Sequence, residues 1–386
     1  MALFSKTDMI LNQKKIVFSG THRICPPEVT LAQVLPIFSA TGGTRVADLT
    51  GLDDIGIPVF QAVRPNAKTL SISQGKGTTS LLAKISAVME SIEMWHAEEM
   101  QLKITEQTVA EMRRELPYPL ESLPLRDRAV LPERALLNWV ESTVWGQEKS
   151  VWVPAMCVGM DATWPIPWPI FRTSSNGLAS GNTPEEATAH GMCELLERDA
   201  LARAGSSWHG RRLDLKHVDE PCDSLLERFA AAGVSVAVRD LGDLAHVPCF
   251  DAIIWSRSLP FCFTGSGCHP DAGVALSRAL TEAAQSRLTL IAGTRDDIHD
   301  DIYRTISSRR DLRNPLDDIP SPTRTWSEVS KSSQLTASHF EDIEVLVAAV
   351  RRNALHAPLV VDLTRPELGI PVVRVLAPGL CLPRKH

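Results

Sequence analysis

The most constraining feature of this 386-residue chain is a skeleton that it writes more than once. GKGTTSLLAKISAVMESIE and GNTPEEATAHGMCELLER each run from a glycine to an alanine to a Glu-x-x-Glu pair at the same separations. Gly77, Ala83, Glu90 and Glu93 thereby fall on Gly181, Ala187, Glu194 and Glu197. GVALSRALTEAAQSR repeats the pattern with Ala275 and Glu282 and puts Gln285 where the second carboxylate would stand. Such a chain reads as a triplicated unit, which asks of the fold three like helices in like surroundings.

Strand signals repeat as well. RVADLTGLDDIGIPVFQAV, VAVRDLGDLAHVPCFDAIIW and LVVDLTRPELGIPVVRVL each hold an apolar run, an Asp-Leu pair (Asp48, Asp240, Asp362), a polar turn, and a proline (Pro58, Pro248, Pro371) leading a second apolar run. That is a hairpin signature. NWVESTVWGQEKSVWVPAM, turning at Gly146, predicts a fourth hairpin without the Asp-Leu mark. Glycine-rich loops SQGKGTT, SSNGLASGNT and GSGCHPDAG precede helical stretches at 79–99, 184–204 and 273–292.

The expectation is an α/β (α+β) fold of repeated strand-strand-helix units with a closing strand pair, mixed sheets packed with helices around a central site. It forms one intertwined domain over 48–386 after an N-terminal segment 1–47. The proline-rich stretch 117–132 reads as an exposed connector, the charged stretch 296–326 as a loop excursion, and 339–355 as a packing helix.

A net charge of −6 and a pI near 6.0, with no concentration of Lys and Arg, exclude a nucleic-acid partner. The start of the chain lacks the pattern of a secretory signal, and the longest apolar runs, such as IEVLVAAV, are far too short to span a membrane. A cytoplasmic location is expected. None of the eight cysteines forms Cys-x-x-Cys, so neither a zinc site nor a disulfide framework is signalled. Cys268 beside His269 and Cys381 near the terminus are the two thiols with the most open roles.

On the first repeated helix, Ser86, Glu90 and Glu93 share a stripe beside the apolar side made by Leu81, Leu82, Ile85, Val88, Met89 and Ile92. On the second, Glu186, His190, Glu194 and Glu197 make a continuous stripe with Arg198 beside it. If the helices share a centre, Glu90, Glu93, Glu186, Glu194, Glu197 and Glu282 converge there, and bare carboxylates so close repel by roughly several kcal/mol at low dielectric. Cations must be part of the design.

Mg²⁺ fits, since it takes one or two carboxylates and completes its shell with water and phosphate oxygens. The loops Ser73–Gly77 and Asn176–Asn182 offer backbone N–H groups at helix N-termini, where phosphate binds. Lys76, Arg198 and Arg287 can neutralise remaining charge. A nucleoside triphosphate with magnesium satisfies all three signals.

Each signal has a plain counterpart. GKG lacks the spacing of a Walker P-loop and alone is a turn. Glu-x-x-Glu on one helix is ordinarily a solvated face. A solvated stripe, however, has no reason to keep the same glycine-to-alanine-to-glutamate distances in separate helices. His190 reads equally as a ligand and as a satisfied structural histidine.

TRVADLTGLDDIGIPVFQAVRPNA running into SQGKG, then SAVMESIE, SNGLASGNTPEEA, ELLERDA and EAAQSR, together resemble the YcaO family over nearly the whole chain. The closing GIPVVRVLAPGL is similar to the subgroup that works with a TfuA protein. The resemblance implies an enzyme that uses ATP to phosphorylate the oxygen of a peptide-bond carbonyl, so that a nucleophile replaces the oxygen and phosphate leaves. A neighbouring Cys, Ser or Thr side chain then gives an azoline, and sulfide gives a backbone thioamide.

By the same resemblance Glu90, Glu93, Glu194 and Glu197 hold Mg²⁺, with Glu186 and Glu282 candidates for the same shell. Asn182, Arg198, Gln285 and Arg287 contact ATP, and Ser73, Lys76 and Gly77 line its phosphate side. The ending CLPRKH departs from the proline-alternating tail of many cyclodehydratases, which favours thioamide formation. The stretch ahead of Asp48 is short for a leader-peptide-binding module, so a TfuA-like partner or a separate leader-peptide-binding protein is expected to serve a peptide or protein substrate. A homodimer is compatible with this reading, and no general base is identified.

Two other classes compete. Carboxylate-bridged di-iron proteins pair Glu with Glu-x-x-His, and Glu93 to His96 has that spacing, although Ala200 stands at the matching position after Glu197. A nonenzymatic ATP-binding scaffold would keep the pocket without turnover.

Overall fold

The three repeated helices begin on side-chain caps at matching positions. Thr79 accepts from the Leu82 N–H, Thr183 from the Glu186 N–H, and Asp271 from the N–H groups of Gly273 and Val274. Each cap satisfies a donor that a helix start leaves unpaired. The computed structural model describes residues 13–147, 149–163, 169–295, 297–308, 312–354 and 356–382. The first residues of the N-terminal segment and the closing Pro383–His386 lie outside the described residues.

In chain order the elements are β1 (Ile16–Phe18), β2 (Thr21–Arg23), α1 (Pro27–Ala40), β3 (Arg45–Asp48), β4 (Val59–Val63), β5 (Ile72–Lys76) and α2 (Ser80–Glu98). There follow β6 (Thr105–Thr108), α3 (Val109–Arg113), β7 (Leu136–Val144), β8 (Ser150–Pro154), β9 (Leu178–Ser180) and α4 (Pro184–Ala204). The next stretch holds β10 (Leu213–Asp214), α5 (Glu220–Ala231), β11 (Ser235–Asp240), α6 (Gly242–Ala245), β12 (Cys249–Trp255), β13 (Phe263–Cys268) and α7 (Ala272–Ala292). The chain closes with α8 (Asp300–Ser308), β14 (Arg324–Thr325), α9 (Trp326–Val329), α10 (His339–Asn353), β15 (Leu359–Asp362) and β16 (Val372–Leu376).

Unit one is the antiparallel sheet β3-β4-β5 with α2, and unit three is β11-β12-β13 with α7. Unit two takes its hairpin from the end of the chain: β15 pairs with β16, and β16 pairs with β9, the strand that leads into α4. The residue after each hairpin proline faces Lys76, Ser180 or Cys268 across the ladder. Ser180 and Cys268 stand 104 and 192 residues beyond Lys76, the same offsets that carry Glu90 to Glu194 and Glu282. Strand pairing and helix pattern thus give one register for all three units.

The repeated glycines and alanines are where strand and helix backbones touch. A Cβ on Gly75 would lie 2.0 Å from the Ala87 nitrogen and 2.3 Å from the Ala83 oxygen; one on Gly267 would lie 2.1 Å from the Ala275 oxygen. Only glycine permits that approach. Unit two makes the exchange, with Ala179 on the strand and Gly191 on the helix at the matching positions. Each helix also lies on the edge strand of another unit, α2 on β9, α4 on β13 and α7 on β5, which closes the units into a ring of approximate threefold symmetry.

Several expectations are corrected. The predicted fourth hairpin forms as β7–β8, but it extends the outer side of the unit-two sheet and does not lead into α4's strand. The proline-rich connector is not exposed throughout: Tyr118, Leu120 and Leu123 are buried in the largest apolar cluster. The stretch 296–326 contains α8, whose Ile302, Tyr303 and Ile306 pack on the unit-three core, because isoleucines four apart give it an apolar stripe. Within 1–47, β1 and β2 form a hairpin and α1 packs on α2 through Val34 and Phe38. α10 packs as expected through Ile343, Leu346 and Val350. Cys25, Cys157, Cys193, Cys222, Cys249, Cys268 and Cys381 stand outside any disulfide, and no helix of the described residues is long and apolar enough to cross a membrane.

Candidate active site

The ring encloses a cavity of about 570 Å³. Alternation along the inner edge strands decides what faces it: on β5, Gln74 and Lys76 line the cavity, while Gly75 turns its open side to α2. Helical period then stacks three layers of matched positions in the lining. Ser86, His190 and Arg278 form one; Glu90, Glu194 and Glu282 the next; Glu93, Glu197 and Gln285 the third. All these residues reach the cavity because their helices repeat one register.

The facing strands hold the acids. Ser180 donates to Glu93 Oε1 from its backbone nitrogen at 2.9 Å and its hydroxyl at 2.6 Å, and the Ser266 hydroxyl donates to Glu197 Oε1 at 2.7 Å. The Gly177 nitrogen donates to Glu194 Oε2 at 3.0 Å. The third corner differs. Lys76 Nζ pairs with Glu282 at 2.5 Å, and Gln285 Nε2 donates to the Gln74 carbonyl at 3.4 Å.

Burial pushes Glu90 up to about 7, Glu93 up to about 8 and Glu197 up to about 7, and raises Glu194 as well, with neighbouring carboxylates adding to each. Glu282 is buried too, yet Lys76 and Arg198 hold it below the usual carboxylate range. Burial opposes the charge on Arg198, but Glu197, Glu194 and Glu282 more than offset this and raise it. Burial, Arg278, Arg23 and Lys76 drive His190 well down, so it is neutral. The site is therefore rich in acids whose charge awaits a counter-ion.

These residues fit magnesium and a polyphosphate. The donors are hard carboxylate oxygens, open to the cavity, and Lys76, Arg198 and Arg278 stand beside them. Mg²⁺ takes few protein carboxylates and fills its shell with water and phosphate oxygens. Glu90, Glu93, Glu194 and Glu197 are the side chains that would hold it.

Other predicted residues divide. Gly77 and Asn182 line the cavity, Asn182 held by Thr30 at 2.9 Å. Glu186 reaches the lining but is already engaged by Asn182 at 3.1 Å, the Ile24 nitrogen at 3.3 Å and Arg23 at 3.4 Å. Ser73 and Arg287 do not line the cavity, contrary to expectation. Ser73 falls on the other side of the strand from Gln74 and Lys76, and Arg287 is buried in an ion pair with Asp53 at 2.8 Å and a hydrogen bond to Ser256.

The lining also holds Gln74, Arg278 and Arg23, which the sequence reading passed over. Strand alternation with Lys76 pointed to Gln74, and the helical stripe one turn before Glu282 pointed to Arg278. Nothing in the pattern marked Arg23, which comes from the β1–β2 hairpin. His96 stays out of the lining, its Nδ1 bonded to the Ile92 carbonyl at 2.8 Å, so Glu93 and His96 do not make the pair a di-iron site needs.

Paired hard carboxylates opposite arginine and lysine define a class of site, one that takes a divalent cation together with phosphate. The chain belongs to the YcaO family: the model described as YcaO cyclodehydratase, ATP- and Mg²⁺-binding, matches residues 74–381. ATP and Mg²⁺ are its cofactors. An uncharacterized protein in the tfuA 3′ region of Rhizobium leguminosarum bv. trifolii is 36% identical over 404 residues, covering 98% of this chain and 94% of that protein. The structure of YcaO from Methanopyrus kandleri bound with AMPPCP and Mg²⁺ has a TM-score of 0.72 at 24% identity, covering 95% and 94% of the two chains. A heterocyclase in complex with substrate and cofactor has a TM-score of 0.77 at 23% identity, over 97% of this chain and 54% of that one. These last two likenesses establish the fold.

Proposed function

We propose that this protein is a peptide-backbone thioamide synthetase acting in the cytoplasm with a TfuA-like partner. A peptide carbonyl oxygen attacks the terminal phosphate of ATP, sulfide adds to the activated carbon, and the oxygen departs within phosphate. With H₂S as donor the products are thioamide, ADP and phosphate, the two hydrogens going to phosphate and solvent. An amide oxygen is a poor leaving group, and its conversion to phosphate removes that obstacle.

The observation that carries the sulfur assignment is the relative in the tfuA 3′ region, similar over almost the full length of both chains. The cavity supports the ATP step. Glu90, Glu93, Glu194 and Glu197 would orient the metal, which neutralises charge developing on phosphate oxygens. Lys76, Arg198 and Arg278 line the same cavity and could meet phosphate charge, and Asn182 and Gln285 offer amide groups for orientation. Neutral His190 adds no repulsion to a cation.

The test is mass spectrometry of candidate peptides after co-expression with the neighbouring genes. Exchange of oxygen for sulfur adds roughly 16 Da, the expected result. A loss of roughly 18 Da would mean attack by a side chain and azoline formation, and nucleotide binding without any change in peptide mass would favour a scaffold.

A further inference from the structure

Arg374, the third residue of β16, is 2% exposed, and among the described residues no carboxylate forms an ion pair with it. Its Nε donates to the Cys157 carbonyl at 3.1 Å, its Nη2 donates to the Ser174 carbonyl, and its Nη1 is buried without a partner. A buried charge so placed is costly unless something nearby compensates it. At the matching ladder positions unit one has the uncharged Gln61 and unit three has Asp251, which Arg239 neutralises at 2.7 Å. Of the three, only unit two carries a charge there with no direct ion-pair partner among the described residues.

What Arg374 holds leads to the carboxylates. The Ser174 carbonyl begins the turn in which Gly177 donates to Glu194 Oε2 at 3.0 Å, and the Gly177 carbonyl in turn accepts from Val375 at 2.7 Å. Gly177 has φ +78° and a Cβ there would lie 2.3 Å from the Val375 oxygen, so the turn has one geometry. Burial opposes the Arg374 charge and Glu194 is the carboxylate that sustains it.

We infer that Arg374 is the positioning residue for Glu194: it pins the 174–177 turn that grips the carboxylate, so that Glu194 meets a divalent cation already oriented. The inference rests on the magnesium-nucleotide reading of the site. Its test is the Mg²⁺ concentration for half-maximal binding of a non-hydrolysable ATP analogue, by calorimetry on the full chain, with thermal melts alongside. Arg374→Met should raise that concentration about tenfold, and Arg374→Lys, which keeps charge but loses the fork, about two- to threefold.

If Arg374→Met does not fold, Arg374→Lys decides, and a value equal to wild type overturns the inference. Equal losses in two folded variants would reduce the contribution to packing and overturn it as well. A wild-type chain that binds no magnesium-nucleotide overturns this inference together with the reading beneath it. A wild-type chain that binds while a folded Arg374→Met is unchanged overturns this inference alone.

Discussion

Units one and two keep both acids of the repeated pair, whereas unit three keeps one. Their strands and helices share one register, so the difference is chemical within a common frame. At the third corner Gln285 stands for the second glutamate, and Lys76 on the facing strand neutralises Glu282. Burial pushes up the acids of the first two units even though Arg198 lies 3.5 Å from Glu197 and 4.0 Å from Glu194, whereas Glu282, with both Lys76 and Arg198 acting on it, is held down. A threefold frame makes three equal corners, and on the proposed reading a few substitutions would suit two of them to metal and leave the third for the rest of the nucleotide.

The comparison breaks most severely if the metal corners lose an acid. Glu194→Gln or Glu197→Gln should lower magnesium-nucleotide affinity roughly a hundredfold or more, about 3 kcal/mol, while circular dichroism remains native. Tight binding by both variants would remove the assigned site. Arg287→Ala should act on the other side of the ledger between site and scaffold. Leaving Asp53 buried and unpaired, it should cost about 3–5 kcal/mol in denaturant unfolding, with nucleotide affinity of the folded protein nearly unchanged.

Gln285→Glu would turn the third corner into a copy of the others. It should weaken nucleotide binding about tenfold, near 1.4 kcal/mol, and an improvement would mean that the third corner also seeks metal. The smallest effect is on pH. Glu90, Glu93 and Glu197 have folded pKa values above the ordinary 4.5, so between 4.5 and about 8 the folded chain holds protons that the unfolded chain has lost. Stability of the ligand-free protein should therefore fall as pH rises from about 4.5 towards 8 and level off above, and magnesium-nucleotide should flatten the curve. Melting curves across that range check the sign.

The sequence was informative where periodicity governs geometry. Glycine, alanine and glutamate spacings on α2, α4 and α7 marked the backbone contacts and the inward acids, and the ladders reproduce that register. It was less so where distant segments meet. Nothing local says that β9 pairs with β16 nearly two hundred residues later, or that Arg23 walls the cavity. Arg287 looked like a ligand beside Gln285, but its partner Asp53 lies in another unit. Alternation with Lys76 turns Ser73 away from the cavity. α8 was hidden because its charged residues masked a short apolar stripe.

The most direct test of the account is calorimetric titration of the wild-type protein with a non-hydrolysable ATP analogue, with Mg²⁺ and with chelator. If the carboxylates of units one and two gather round one metallated polyphosphate, binding should be roughly a hundredfold tighter with Mg²⁺. Equal affinity in chelator would contradict it.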